Sequence, residues 1–449
     1  MGGLWEILKR ERERVAAMGG FWECGEIAEM IGGLWETLMH PDEIYLLIKL
    51  GLRICTSENR TPPESQLAFC YKVIPKITLA YRLVPSLEQV DPKMVNAVAI
   101  FYFVLRALDT VEDDMSLSSE VKKQILENFH NHLYDHDWHF SCGSSKYHRA
   151  LMDQFHLIRQ AFLELDNSYQ EVIKDVTKTM GAGMATFIDK EIVTIKDWNE
   201  YGHYVAGIVA VALLKMYFQP SRIEDLDSEY NLMAYSCAIF VMKVDMIQDY
   251  LQDINEIPSP RMFWPREIWS KYVYKLEDLK YEENSVKAVQ CLNDMVTSSL
   301  VHAEDCLKFL SASVDPSVFQ VGAFILVQQF GTLALCYNNI NVFRSKVGPR
   351  LGLNAKIIER TRTMSDVYGA FFEFCNLMKS KVDKHDPNAT ETVSRLEAIQ
   401  KICMDSGMLN YRKFYIIRSQ KGYNSILIVG LSVLILSIVA YLSARRLVI

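Results

Sequence analysis

Five carboxylates stand out by their spacing. In "LRALDTVEDD", Asp109, Glu112 and Asp113 fall at i, i+3 and i+4, and in "QDYLQD", Asp249 and Asp253 fall at i and i+4. At about 3.6 residues per turn, each group projects from one side of a helix toward a common point. Such a group can share a divalent cation, although a solvated acidic helix face has the same spacing. The preceding residues favour the first reading. "NAVAIFYFVLRAL" is apolar almost all the way round, the mark of a helix inside a core, and "CAIFVMKVDMIQ" leads in the same manner into Asp249. Carboxylates carried on core helices are costly unless a cation, a hydrogen bond or a water-filled cleft compensates them. Two such stripes facing across a cleft would suit magnesium, a hard cation that takes a few carboxylates plus substrate phosphates.

The elements that must position these acids are helices. "EVIKDVTKTMGAGMATFIDKEI", "SVKAVQCLNDMVTSSLVHAEDCLKFL" and "KIIERTRTMSDVYGAFFEFCNLMKSKV" each repeat apolar residues at i, i+3, i+4 and i+7, while alternating strand patterns are nearly absent. With 449 residues, half of them hydrophobic, the chain can build a large core. Net charge is −7 and no basic run stands out, which argues against a nucleic-acid partner. The ten cysteines form no CxxC pair and several lie inside apolar helical stretches, so they read as reduced core thiols of a cytosol-facing protein.

The two ends differ from the middle. Near the start, "GGLWE", "GGFWE" and "GGLWE" recur irregularly, and residues 1–30 read as an extension of unknown role with Met30 as an alternative start. Near the end, an uncharged apolar run spans 426–442, with Arg412, Lys413, Arg418 and Lys421 before it and Arg445 and Arg446 after it. Its length is at the lower limit for a membrane-spanning helix and suits a thin bilayer such as the endoplasmic reticulum. The basic excess on its N-terminal side places the body of the protein in the cytosol. The organisation expected is one all-α domain over 31–410, a linker at 411–425 and an anchor at 426–442.

The wording of several segments carries more than spacing. "YFVLRALDTVEDD", "MGAGMATFIDKE", "YGHYVAG", "DINEIPSPRMFWPREIWSKY", "AVQCLNDMVT" and "TLALCYNN" occur in an order and spacing that resemble the squalene synthases, those of plants most of all, over about residues 32–449. The resemblance implies a single-domain helical prenyltransferase bundle, the isoprenoid synthase fold, with a C-terminal transmembrane helix. The activity implied is head-to-head joining of two farnesyl diphosphates through presqualene diphosphate, followed by reduction and rearrangement with NADPH. Asp109, Glu112, Asp113, Asp249 and Asp253 would hold Mg2+ against the departing pyrophosphate. Arg106 would meet diphosphate oxygens directly. Tyr204 takes the place of the tyrosine assigned proton transfer in forming the cyclopropyl intermediate, and Tyr102, with Phe101 and Phe103, would line a dry cavity whose ring faces stabilise a carbocation. A monomer at the membrane is expected.

The chain also departs from this family. Gln248 and Gln252 stand where arginine and an acid are usual, and Asp245 where asparagine is usual. Thr78-Leu79-Ala80-Tyr81 replaces S-R-S-F, leaving Arg82 to compensate in substrate binding. Gly348-Pro349-Arg350-Leu351-Gly352 stands for the basic segment associated with NADPH, so Arg350 and Lys346 are the cations left for that cofactor. "FQVGAFILVQQF" replaces the usual F-C-A-I-P-Q wall. These changes leave three functions open: a squalene synthase of reduced activity, an enzyme that stops at presqualene diphosphate or couples other prenyl chains, and a catalytically silent membrane-anchored paralogue.

Overall fold

The computed structural model describes residues 91–218, 228–257 and 260–409, with His40, Glu43, Tyr45, Leu46, Leu47 and Lys49 upstream. The N-terminal extension, the segment with Leu79 and Arg82, and the linker and apolar run at 411–442 lie outside the described residues. The helices are α1 (Pro92–Asp113), α2 (Ser119–His132), α3 (Lys146–Asp153), α4 (Phe155–Leu163), α5 (Asn167–Phe187), α6 (Ile195–Gly202), α7 (Ile208–Phe218), α8 (Ser228–Gln248), α9 (Tyr250–Ile254), α10 (Arg266–Trp269), α11 (Ser285–Ser299), α12 (Ala303–Ala312), α13 (Pro316–Cys336), α14 (Leu351–Arg360), α15 (Met364–Ser380) and α16 (Ala389–Asp405). No strand occurs among the described residues. The chain divides into a larger compact unit, 50–349 with 356–416, and a smaller one, 1–49 with 350–355 and 417–449.

In the larger unit, α1 begins where sequence chemistry says it must. Asp91 caps it by accepting from the Lys93 amide at 2.9 Å, and Pro92 occupies the first turn, where its missing N–H costs nothing. The helix stops at Asp114, whose carboxylate accepts from the amides of Ser116 at 3.0 Å and Gly143 at 2.7 Å and so pins the turn that follows. One side of α1 packs into the core through Phe101, Phe103, Val104, Leu108 and Val111, all essentially inaccessible. Phe101 and Phe103 are therefore packing residues, whereas Tyr102 lines the cavity described below.

Helices 93–113, 195–218 and 316–336 are each long and apolar enough to cross a membrane. Two of them are buried over most of their length, 67% of the first window and 56% of the third, because they form the inside of the bundle. Phe330 of α13 stacks on Phe371 of α15 with ring centroids 4.3 Å apart. The cysteines at 142, 237, 291, 306, 336, 375 and 403 are free and buried, as their apolar surroundings predict.

The stretch from α6 to α7 is continuous but changes winding. Thr194 and Asp197 close a capping box at its start, and residues His203–Gly207 then form a π turn before α7 resumes. Such bulges re-aim the side chains on either side of them.

Candidate active site

Helices α1, α6, α7, α8 and α13 enclose a cavity of 890 Å³. From α1 it receives Val98, Tyr102, Arg106, Asp109 and Asp113, one stripe of the helix opposite the packed core face. From the other side come Asp245 and Asp249 of α8 and Asp253 of α9. The short break between α8 and α9 keeps helical pairing, since the Asp249 amide donates to the Asp245 carbonyl at 2.9 Å and the Asp253 amide to the Asp249 carbonyl at 3.0 Å. The two acidic sets predicted from spacing therefore face one another over shared space. The opposite end of the cavity is apolar, with Val209, Leu213, Val318, Val321 and Ile325 in its walls.

One guanidinium joins the sets. Arg261 donates from Nη1 to Asp113 and from Nη2 to Asp253, the second bond at 2.9 Å. On α1, Arg106 pairs with Asp109 at 3.3 Å and lies over the Tyr102 ring, 5.7 Å from its centroid. Burial opposes the Arg106 charge, but Asp109, Tyr102 and Asp113 outweigh it and hold the guanidinium firmly protonated. Lys122 donates to the Glu112 carbonyl at 2.6 Å, tying the end of α1 to α2.

The carboxyls bear the cost of this crowding. Burial, then repulsion from Asp113 and Asp109, pushes Glu112 up to about 8, against the opposing bond from Tyr201. Burial raises Asp109 to about 6 despite Arg106, and raises Asp253 to about 7 despite Arg261. Asp249 is also raised, chiefly by burial, with Lys346 and Arg261 pulling the other way. Hard oxygen donors that repel one another in a dielectric pocket fit divalent cations well. Among the described residues no group of three or more His, Cys, Asp or Glu side chains comes close enough to enclose an ion, so each cation would complete its shell with water or substrate oxygens.

The two tyrosines of "YGHYVAG" stand in different settings. Tyr204 lies inside the π turn, and its ring rests on Gly183 of α5, where any Cβ would stand 2.1 Å from it; it is not among the cavity residues. Tyr201, one turn earlier in the same "YGHYVAG", is buried, lines the cavity and donates from Oη to Glu112 at 3.1 Å. Two tyrosines three apart would share a face on a regular helix, and the π turn separates them.

The two cations expected for NADPH stand in different settings. In the smaller unit, Arg350 donates from Nε to Oε2 of the fully buried Glu43 at 2.9 Å, so its charge is already matched. Lys346, in the larger unit, is exposed and its charge acts on Asp249. Two departures from the family wording also touch: Gln248 donates from Nε2 to the Val347 carbonyl at 2.6 Å, and a Cβ on Gly348 would stand 2.5 Å from that nitrogen.

Spacing overlooked Arg261, Tyr201, His148 and Asp245 as cavity residues. Arg261 was visible only as the one cation in a proline-broken loop, and Tyr201 as the second tyrosine of a motif already singled out.

Comparison with known proteins agrees with this geometry. Residues 86–349 match the squalene/phytoene synthase family. "Squalene synthase 2" of Panax ginseng is 56% identical over 416 residues, covering 92% of this chain and 99% of that protein. The squalene synthase of Nicotiana benthamiana is 53% identical over 416 residues, covering 93% of this chain and 100% of that protein. A solved structure of TcSQS with the ligand BPH1237 aligns over 76% of this chain and 99% of its own with a TM-score of 0.71 at 34% identity, so the helical fold is shared. Fold, facing acids and sequence agree: the chain belongs to the squalene/phytoene synthase family.

Proposed function

We propose that this protein is an enzyme that condenses two molecules of farnesyl diphosphate head to head into presqualene diphosphate and converts that to squalene with NADPH. One observation carries the reading: the acids of α1 and those of α8 and α9 face a single cavity whose other end is apolar. The polar end suits a diphosphate and the apolar end suits prenyl chains.

Asp109, Glu112 and Asp113 on one side and Asp249 and Asp253 on the other would hold Mg2+, which supplies charge neutralisation to a departing pyrophosphate when bound. Arg106 and Arg261 present guanidinium N–H groups to diphosphate oxygens, with Arg106 braced by Tyr102 and Asp109. Tyr201 rather than Tyr204 is the residue for proton transfer: it lines the cavity and its hydroxyl donates to the Glu112 carboxylate, so a proton can pass along that bond. The aliphatic walls exclude water from a cationic intermediate.

For the reductive half, Lys346 is the cation left to meet NADPH phosphate, since Arg350 is engaged with Glu43. Gln248, its amide engaged with the Val347 carbonyl, brings no cation where the family wording has arginine. The apolar run at 426–442 with its basic flanks supports anchorage in the endoplasmic reticulum membrane, the catalytic unit facing the cytosol.

Incubating the purified full-length protein with farnesyl diphosphate and Mg2+, with and without NADPH, tests the proposal. Squalene is expected with NADPH and presqualene diphosphate without it. Unconsumed farnesyl diphosphate in both samples would refute it.

A further inference from the structure

Lys243 lies on the side of α8 turned away from the cavity and is 1% exposed. Its Nζ stands 3.1 Å from His302 Nε2, His302 Nδ1 stands 2.9 Å from Ser236 Oγ, and Ser236 Oγ donates to Asp305 Oδ2 at 2.7 Å. An ammonium can only donate, so Nε2 accepts and the ring proton sits on Nδ1, facing Ser236. The donors therefore run in one direction, from the interior to a half-exposed carboxylate. Burial lowers Lys243 to about 8, and burial with the Lys243 charge lowers His302 to about 3, which leaves a cationic lysine and a neutral imidazole at neutral pH. A methionine would fill this space without the desolvation cost of a charge. What the charge meets besides His302 is the ring of fully buried Trp198 of α6, with Nζ 4.8 Å from its centroid.

Trp198 is held at two points. Its Nε1 donates to Met246 Sδ at 2.9 Å, and Met246 follows Lys243 by one turn of α8. Farther along α6, Gly202 lies so close to α8 that a Cβ would stand 2.4 Å from Met242 Cε. Tyr201 stands between these two attachments, three residues after Trp198, and α6 has only eight residues before the π turn changes its winding. We propose that Lys243 is a positioning residue for Tyr201: by holding the Trp198 ring against α8, it sets the rotation of α6 at which the Tyr201 hydroxyl reaches Glu112. The proposal rests on the coupling activity and on the proton-transfer role of Tyr201 above. Without the cation the ring loses the attraction on its face, α6 gains freedom to roll, and the 3.1 Å bond from Tyr201 to Glu112 is formed for less of the time. The relay through His302 and Ser236 to Asp305 keeps Nζ over the ring.

A double-mutant cycle in the full-length protein tests this, with presqualene diphosphate formation from farnesyl diphosphate and Mg2+ followed over a single turnover. Lys243→Met, which keeps the length of the side chain and removes its charge, is expected to slow formation by about tenfold while the half-saturating farnesyl diphosphate concentration stays within about twofold. In a Tyr201→Phe background the same substitution should cost less than about twofold, because the hydroxyl it positions is gone. Lys243→Arg, which restores a cation over the Trp198 ring, should recover most of the rate. Ser236→Ala cuts the relay from its half-exposed end and gives a second cycle should Lys243→Met fail to fold, with an expected loss of about threefold that again vanishes without the Tyr201 hydroxyl. Equal losses in both backgrounds, or an unchanged rate, would overturn the positioning role while leaving the coupling activity intact. An active wild type in which Tyr201→Phe costs nothing would overturn it together with the role of Tyr201, and a wild type that consumes no farnesyl diphosphate would overturn the coupling activity as well.

Discussion

Asp113 and Asp253 belong to different helices, yet both accept from the single guanidinium of Arg261, which lies between the two acidic sets of the cavity. Arg261 thereby holds the space across which diphosphate-bound cations would act. Arg261→Ala is expected to weaken farnesyl diphosphate binding, raising KM by about tenfold, the order expected for a lost charge-assisted hydrogen bond. A KM unchanged from wild type in steady-state assays would show that Arg261 does not meet the substrate.

The two tyrosines of "YGHYVAG" should behave differently. Tyr201→Phe removes the hydroxyl that donates to Glu112 and should lower kcat by about 10²-fold or more. Tyr204→Phe, packed on Gly183 away from the cavity, should change kcat by less than about threefold. Equal losses in single-turnover formation of presqualene diphosphate would contradict this division of roles.

Stability of the metal-free protein should fall as pH rises from about 6.5 to 8. Glu112, raised to about 8, and Asp245 and Asp253, each raised to about 7, retain protons in the folded state that the unfolded chain has released. A carboxyl raised in this way supports folding fully below its unfolded value and loses that support as pH climbs through its folded value. The half-buried histidines, whose folded values are lowered, act below about 6.5, and Lys243, lowered by burial to about 8, opposes the decline only at the upper end of this window. Thermal melts in chelator at both pH values should show the decline, and Glu112→Gln should flatten it. Identical slopes for wild type and variant would exclude Glu112 as its source.

Gln248→Arg puts a cation back beside the 347–348 backbone, where the glutamine amide now binds the Val347 carbonyl. The variant should bind farnesyl diphosphate more tightly, with KM lowered by about tenfold from added charge-assisted bonding. An unchanged or higher KM would mean that the loop has been rebuilt around glutamine and has no room for the longer side chain.

Arg350→Ala separates a structural role from a cofactor role. Loss of its bonds to buried Glu43 should cost about 2 kcal/mol of stability, measured by denaturant unfolding. The KM for NADPH should stay within about twofold, the range of a small surface effect. A large KM change with unaltered stability would return Arg350 to the cofactor.

Much of this protein was legible in its sequence because helices are local. Apolar periodicity and polar caps such as Asp91 with Pro92 are written within a turn or two of the residues they govern, and so is the common direction of Asp109 with Asp113 and of Asp249 with Asp253. Tertiary structure alone decided which residues meet across the chain: Arg261 with Asp113, Gln329 with Asp245, Arg350 with Glu43. It also set which of Tyr201 and Tyr204 lines the cavity, since the π turn breaks the regular advance of the helix and no periodicity foretells where the register changes. Short-range backbone geometry fixes the side of a helix on which an acid stands; its charge state and partner depend on what the folded chain brings opposite to it.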